Sequence, residues 1–199
     1  MRAWKLSAIA ASMLVAYSAA AEPVKITNIG HGYYSGALYV AQREKLFEKY
    51  GLEPDVSFVQ GGPLALQAAL TKQADVAIVS YEHILTSAVQ GKRVVAFFNI
   101  ANRPVNNIIG NDALVAGADK LSIEAKVKRL KGMRVAMPSA GGSGEKMLGV
   151  LAKKYGLTLP EDIKSVYLGA EAASYVAAFD RNLIDAALPF EPAVARLLN

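Results

Sequence analysis

The chain is expected to be an α/β protein of two lobes, each a mostly parallel sheet flanked by helices, and two observations carry that expectation. The first is an internal repeat. Between Glu44 and Ser80 the sequence reads as a helix ending Lys49-Tyr50-Gly51-Leu52, a strand Val56-Ser57-Phe58-Val59, a turn Gly61-Gly62, a helix from Leu64 to Leu70, then Asp75-Val76-Ala77-Ile78-Val79. Between Gly144 and Pro189 the same order returns: Lys154-Tyr155-Gly156-Leu157, Ser165-Val166-Tyr167-Leu168, Gly169-Ala170, a helix from Ala173 to Phe179, then Asp185-Ala186-Ala187-Leu188. The second observation is spacing. Gly51 and Gly156 lie roughly a hundred positions apart, too far for a solenoid period and right for two small lobes built alike. Two such lobes enclose a cleft, and a cleft is where ligands bind.

The N-terminus reads as a targeting segment. Arg2 and Lys5 precede an apolar run from Leu6 to Tyr17, far short of the ~20 residues that span a bilayer. Ala19-Ala20-Ala21 supplies the small residues of a cleavage site, so residues 1–21 are expected to be a signal peptide and Glu22 the mature N-terminus. Val24-Lys25-Ile26-Thr27-Asn28-Ile29 then alternates as a strand does, and Gly30-His31-Gly32 breaks it. One helix is expected next, with Tyr39, Leu46, Phe47 and Tyr50 on its apolar stripe. Gly51 stands just past its end, where a left-handed residue satisfies the last carbonyls. A strand at 54–59, a helix at 63–72, a strand at 75–80, a helix at 81–90 and a strand at 94–99 complete lobe 1, assigned to residues 22–101. Ala101-Asn102-Arg103-Pro104 marks the crossover, and an Asn-rich strand over 106–110 opens lobe 2, assigned to 102–199. A helix at 122–130 and a strand at 133–137 lead into the second copy of the repeat. Glu191 to Asn199 reads as the start of a helix, so the second sheet is expected to be unfinished and the C-terminal part missing, as in a fragment or a truncated gene product.

Composition narrows the function. The 199 residues contain no cysteine, which excludes disulfides, a thiolate nucleophile, a thiolate metal site and a lipid-modified N-terminal Cys. The formal charge of +5 includes Arg2 and Lys5, so the mature chain is only mildly basic. Its one dense cluster, Lys126-Val127-Lys128-Arg129-Leu130-Lys131, has helical apolar spacing and reads as a solvated helix face, not as a nucleic-acid site. His31 and His83 are the only histidines, and without a carboxylate pattern beside them they make a poor metal site. Neither a metal nor a cofactor is expected.

In an open parallel sheet the functional surface lies at the carboxyl ends of the strands. Four turns there have unusual chemistry: Gly30 to Gly36, Gln60-Gly61-Gly62-Pro63, Ser80-Tyr81-Glu82-His83, and Pro138 to Gly144. Each opens a helix, where free N–H groups, the positive dipole end and close backbone approach at glycine would bind an oxyanion without any lysine. Ser35, Ser80, Ser139 and Ser143 could cap helices or donate to a ligand. Of the neighbours Tyr33 and Tyr34, only one is expected to point into the cleft, covering a ligand's flat or apolar part. Glu82, Glu145 and Glu191 lie in or near first turns, where a carboxylate complements the dipole. Asp75 and Asp185 occupy matching places at strand starts and read as structural.

Enzyme motifs fail specific tests. Gly141-Gly142-Ser143-Gly144-Glu145 lacks the last glycine of a nucleophile elbow, and Glu145 precedes Lys146 where a P-loop requires glycine. Gly30-His31-Gly32-Tyr33-Tyr34-Ser35 has Ser at the third glycine of a dinucleotide fingerprint, and Val59-Gln60 ends the next strand without an acid for the ribose.

The chain resembles the periplasmic substrate-binding proteins of ABC transporters for nitrate, sulfonates and taurine, the SsuA/TauA-like family. Gly36 to Ala41 with Phe47 to Leu52, Gly61-Gly62 through Asp75-Val76-Ala77-Ile78, Leu130 to Ala136, and Asp185 to Pro192 carry the resemblance. It implies a type II-like two-lobed receptor that closes on a small ligand and docks on a membrane permease. The implied ligand contacts are Tyr33, Tyr34, Ser35, Gly61, Gly62, Ser80, Tyr81, Gly142 and Ser143. A periplasmic monomer that neither catalyses nor binds nucleic acid is expected, its ligand a sulfonate, a taurine-like molecule or a pyrimidine precursor in preference to bare nitrate. The alternatives are an enzyme of related fold making the thiamin pyrimidine, which would carry a Cys-rich motif, and a periplasmic ligand-sensing domain.

Export of the chain in a bacterium, followed by sequencing of the mature N-terminus, should return Glu22-Pro23-Val24. An intact Met1 form in the cytoplasm would remove the periplasmic assignment.

Overall fold

The computed structural model describes residues 21–102 and 106–198; apart from Ala21, the expected signal segment lies outside them. The first sheet has strand order β2-β1-β3, all parallel. It is built from β1 (Glu22–Asn28), β2 (Leu52–Phe58) and β3 (Val76–Ala77). Between them run α1 (Gly36–Arg43), α2 (Leu46–Lys49) and α3 (Gly62–Leu70), and α4 (Tyr81–Val89) follows β3. The second sheet has order β4-β7-β5-β6. Its strands are β4 (Ile109–Gly110), β5 (Arg134–Met137), β6 (Lys164–Tyr167) and β7 (Ala186–Ala187), with only β4 antiparallel. Helices α5 (Asp112–Val115) and α6 (Ile123–Lys128) precede β5. Next come α7 (Ser143–Lys154), α8 (Ala172–Asp180) and α9 (Ala193–Leu198).

The repeat seen in the sequence is a repeat of hydrogen bonds. Lys25 N–H donates to Asp75 Oδ2 at 2.9 Å and Asp75 N–H returns to the Lys25 carbonyl at 2.9 Å. In the second sheet Arg134 N–H donates to Asp185 Oδ2 at 2.9 Å and Asp185 N–H returns to the Arg134 carbonyl at 2.9 Å. Farther along, Ile78 N–H reaches the Thr27 carbonyl as Leu188 N–H reaches that of Ala136, and Val59 pairs with Asn28 as Leu168 does with Met137. The helix ends match too. Gly51 and Gly156 have φ of 69° and 77°, conformations without the Cβ penalty only for glycine.

Period-two alternation sets the core of the second sheet. Val135, Met137, Ala186 and Leu188 pack with Val127 and Leu130 and with Leu148 and Ala152 of α7. Ala136 and Ala187 face the other way, against Tyr175 and Ala178 of α8. The first sheet and its helices bury less: Ile26, Tyr34, Leu38, Ala65 and Ala74 are the buried apolar residues there.

Three expected elements change. The single helix before Gly51 breaks at Lys45, whose φ of 51° separates α1 from α2. Tyr39, Leu46 and Tyr50 are consequently exposed, and Leu38 carries the burial. Among the described residues no strand forms over 94–99: the first sheet ends at β3, and Val95, Phe97 and Phe98 face solvent. The strand expected over 106–110 shortens to two residues and runs antiparallel to β7. The basic cluster behaves as a solvated face, with Lys128 paired to Glu124 at 2.6 Å and Lys131 to Asp162 at 3.4 Å.

Asp185 also receives Arg134 Nε and Nη2 at 2.9 Å each. These guanidinium bonds hold its carboxyl below the usual aspartate range. A lowered folded value means stability that is present above the unfolded pKa of about 3.9 and lost as pH falls through the folded one. Asp185→Asn should therefore lower the melting temperature by about 2–8 °C at pH 7, and the gap from the parent should close as the scan is repeated at successively lower pH below that of a free aspartate. A gap independent of pH would show that the ionised form contributes nothing.

Candidate interlobe cleft

The four helix-opening turns meet where the two sheets face each other. Gly61 approaches Ser139 so closely that a Cβ on it would lie 2.2 Å from the Ser139 hydroxyl. The corresponding distances are 3.3 Å from Gly30 to Ala170 Cβ, 3.5 Å from Gly169 to Gln60 Nε2 and 3.7 Å from Gly141 to Pro63 Cγ. Tyr34 meets Phe190 edge-on with centroids 5.2 Å apart. Tyr33 N–H donates to the Glu191 carbonyl at 3.4 Å, and Lys146 Nζ of α7 donates to Thr86 Oγ1 of α4 at 3.2 Å. The walls approach through backbone and small side chains, which brings helix N-termini close to whatever the cleft holds.

The adjacent tyrosines take opposite environments. Tyr34 is 9% exposed and Tyr33 64%. Burial pushes the Tyr34 phenol up to about 12, so it is a donor at any physiological pH, yet its buried hydroxyl has no hydrogen-bond partner. Ser35 is fully buried, and its hydroxyl accepts from Asn28 Nδ2 at 2.7 Å and donates to the Gly30 carbonyl at 3.4 Å. That network shapes the first turn and leaves Ser35 little to offer a ligand.

Gly61, with φ of 87°, is the N-cap of α3, and Gly62 sits directly on His83: a Cβ there would lie 2.0 Å from Nε2. His83 is 3% exposed, and burial is the main cause of its lowered pKa, with Glu82 opposing and Lys146 assisting. Ser80 is the N-cap of α4 and Ser35 that of α1, but neither makes a capping bond. Ser143 is the first residue of α7 after the Gly142 N-cap. Tyr81 is 64% exposed. The geometry thus gathers Tyr34, Ser35, Gly61, Gly62 and Gly142 as buried parts of the turns and leaves Tyr33 and Tyr81 mostly in solvent.

The contacts of four residues escape sequence reasoning. Phe190 packs on Tyr34 and Gln60 on Gly169. Asn106 follows the crossover, and its buried Nδ2, without a partner, lies 3.6 Å from the place a Gly144 Cβ would take. Glu145 does more than complement a dipole. One oxygen accepts Gly141 N–H at 2.6 Å and the other accepts the Tyr167 hydroxyl. Only the Asn-rich crossover was a usable signal. His31 is exposed, within 3.1 Å of the Tyr39 hydroxyl and stacked on Phe58, and the described residues contain no His/Cys/Asp/Glu cluster suited to a metal.

The profile of the family described as NMT1/THI5 like matches residues 33–194. The chain belongs to the NMT1/THI5-like family. A protein of Brucella abortus (strain 2308), carrying only the provisional name of a binding protein, is 24% identical over 175 residues, 88% of this chain and 50% of its own length. A solved structure from Bordetella bronchiseptica RB50 superposes with a TM-score of 0.70 at 26% identity, covering 88% of this chain and 53% of that one. The periplasmic aliphatic sulphonate binding protein SsuA of Escherichia coli gives a TM-score of 0.58 at 21% identity, covering 89% and 57%. The chain thus spans about half the length of these relatives, and its two-lobed periplasmic-binding-protein fold is the one expected from the SsuA/TauA-like resemblance.

Gly61→Ala and Gly62→Ala should each lower the melting temperature by several degrees, about 2–8 °C. The first forces a side chain into a left-handed backbone and both drive a Cβ into a packed neighbour. Gly36→Ala, with open space around the new Cβ, should leave it unchanged or raise it. Equal melting of all three by calorimetry would mean that the turn is looser than described.

Proposed function

We propose that the chain is the ligand-capturing portion of an extracytoplasmic substrate-binding component of an ABC importer. It holds a small organic anion or zwitterion, sulfonate- or taurine-like or a pyrimidine precursor, between residues 22–101 and 102–199 and delivers it to a membrane permease. One observation carries the reading. At the seam of the lobes, Tyr34 OH and Asn106 Nδ2 are buried without partners, a costly arrangement unless a ligand supplies acceptors. Tyr34 and Phe190 offer an aromatic wall to an organic body, which disfavours bare nitrate. Gly61, Gly62, Gly142 and Ser143 line the approach of the helix ends. Ser80 and Tyr81 stand at the start of α4, and Tyr33 and Ser35 complete the first turn.

Solved relatives support the class of function: that of Escherichia coli is named a periplasmic aliphatic sulphonate binding protein and that of Synechocystis PCC 6803 a periplasmic nitrate-binding protein. A receptor needs no catalytic group, and the chain lacks the cysteines expected of a related pyrimidine-forming enzyme. The periplasm, reached through cleavage after Ala21, and a monomeric state follow from the same reading. No helix among the described residues is long and apolar enough to cross a membrane.

Denaturing the exported, purified chain and analysing the extract by mass spectrometry should release one small organic molecule. With that molecule in hand, Ser143→Ala should weaken binding by about 1 kcal/mol, or several-fold, while Lys128→Ala leaves it unchanged. An extract without any such molecule, from folded protein, would remove the receptor reading.

A further inference from the structure

The loop that opens α7 already contains its own anion. Glu145, the third residue of the helix, takes Gly141 N–H on Oε2 at 2.6 Å and the Tyr167 hydroxyl on Oε1. A helix N-terminus of this length ordinarily welcomes an oxyanion. Here the carboxylate complements the dipole first, and a second full negative charge beside it would be repelled in a partly desolvated seam. Two of the buried donors without a partner nevertheless lie at the seam. The Tyr34 hydroxyl belongs to a side chain nine-tenths buried, lying 3.3 Å from the place of a Gly30 Cβ, which is itself 3.3 Å from Ala170 across the seam. The second is Asn106 Nδ2, over Gly144, next to Glu145. These two donors ask for acceptor atoms, while the carboxylates of Glu145 and of Glu82, whose buried Oε1 also lacks a hydrogen-bond partner, oppose a net negative charge beside the cation Lys146.

We infer that Glu145 sets the charge selectivity of the cleft, admitting an organic zwitterion whose acceptors meet Asn106 and Tyr34 and turning away inorganic oxyanions. This rests on the ligand-binding reading above and narrows it. Glu145 acts here as a gatekeeping charge that also positions the glycine loop, and Asn106 as a ligand-contacting donor from the crossover.

Titration calorimetry of the full chain with inorganic sulfate, ionic strength held constant with chloride, tests it. The parent should show no saturable binding. Glu145→Gln keeps an acceptor for Gly141 N–H and removes the charge, so it should bind sulfate at least tenfold more tightly than the parent. Adding Asn106→Leu should abolish that gain. Tyr167→Phe, which keeps the carboxylate, should reject sulfate as the parent does. Equal sulfate affinity in parent and Glu145→Gln, or a gain that survives Asn106→Leu, overturns the inference. Submillimolar sulfate binding by the parent overturns it without recourse to any variant. None of these results coincides with failure of the receptor reading, which is decided by whether an organic molecule is released from the parent.

Discussion

The construction depends on an aspartate at the start of the last strand of each repeat. Asp75 and Asp185 each accept the backbone N–H of the neighbouring first strand while returning their own N–H to the same residue's carbonyl. Such a two-way clasp fixes the register of parallel strands that are only two residues long, where the ladder alone would be weak. Everything functional lies beyond it. Once Ile78 and Leu188 are in register, the turns that follow emerge at the carboxyl edge and open α4 and the Pro189–Pro192 segment toward the other lobe.

Equivalent positions have diverged where the chemistry requires it. Asn28 ends the central strand of the first sheet and Met137 that of the second, and both receive the same backbone bond from the adjacent segment. Met137 belongs to the core around α7. Asn28 is just as buried, but its side-chain Nδ2 donates to Ser35 and its Oδ1 accepts Ile29 N–H, building the first turn of the cleft out of what would otherwise be core. The second sheet is clothed on both faces. The first carries more exposed apolar surface, from Leu85 and Val89 through Phe97 and Phe98.

Much of the fold could be read from the sequence because it is repeated: two copies of one pattern, each with its glycine stop and its aspartate, constrain one another. The failures are tertiary. Val94 to Phe98 has the composition of a strand, but a strand exists only where a neighbour offers hydrogen bonds, and local sequence does not show the neighbour. The break at Lys45 was hidden because lysine at positive φ has no compositional mark. In the candidate site, the glycine turns are marked by their composition and the pair Tyr33-Tyr34 by its place in the first of them, but which of the two is buried is not. Asn106, Phe190 and the double duty of Glu145 could not, since each takes its meaning from a residue on another element.

That last point bears on how such a cleft discriminates. Helix N-termini are unselective toward negative groups, and several converging ends would bind any small oxyanion. Selectivity has to come from groups that spend part of that potential in advance. Glu145 does so at α7, using the Gly141 amide that an anion would seek. Ser35, with both hydrogen-bonding roles taken, does so at the first turn. The donors that remain unspent at the seam, the Tyr34 hydroxyl and the Asn106 amide, are directional and uncharged. Directional neutral donors reward the placement of acceptors more than their charge, which suits discrimination among organic molecules better than the capture of ions.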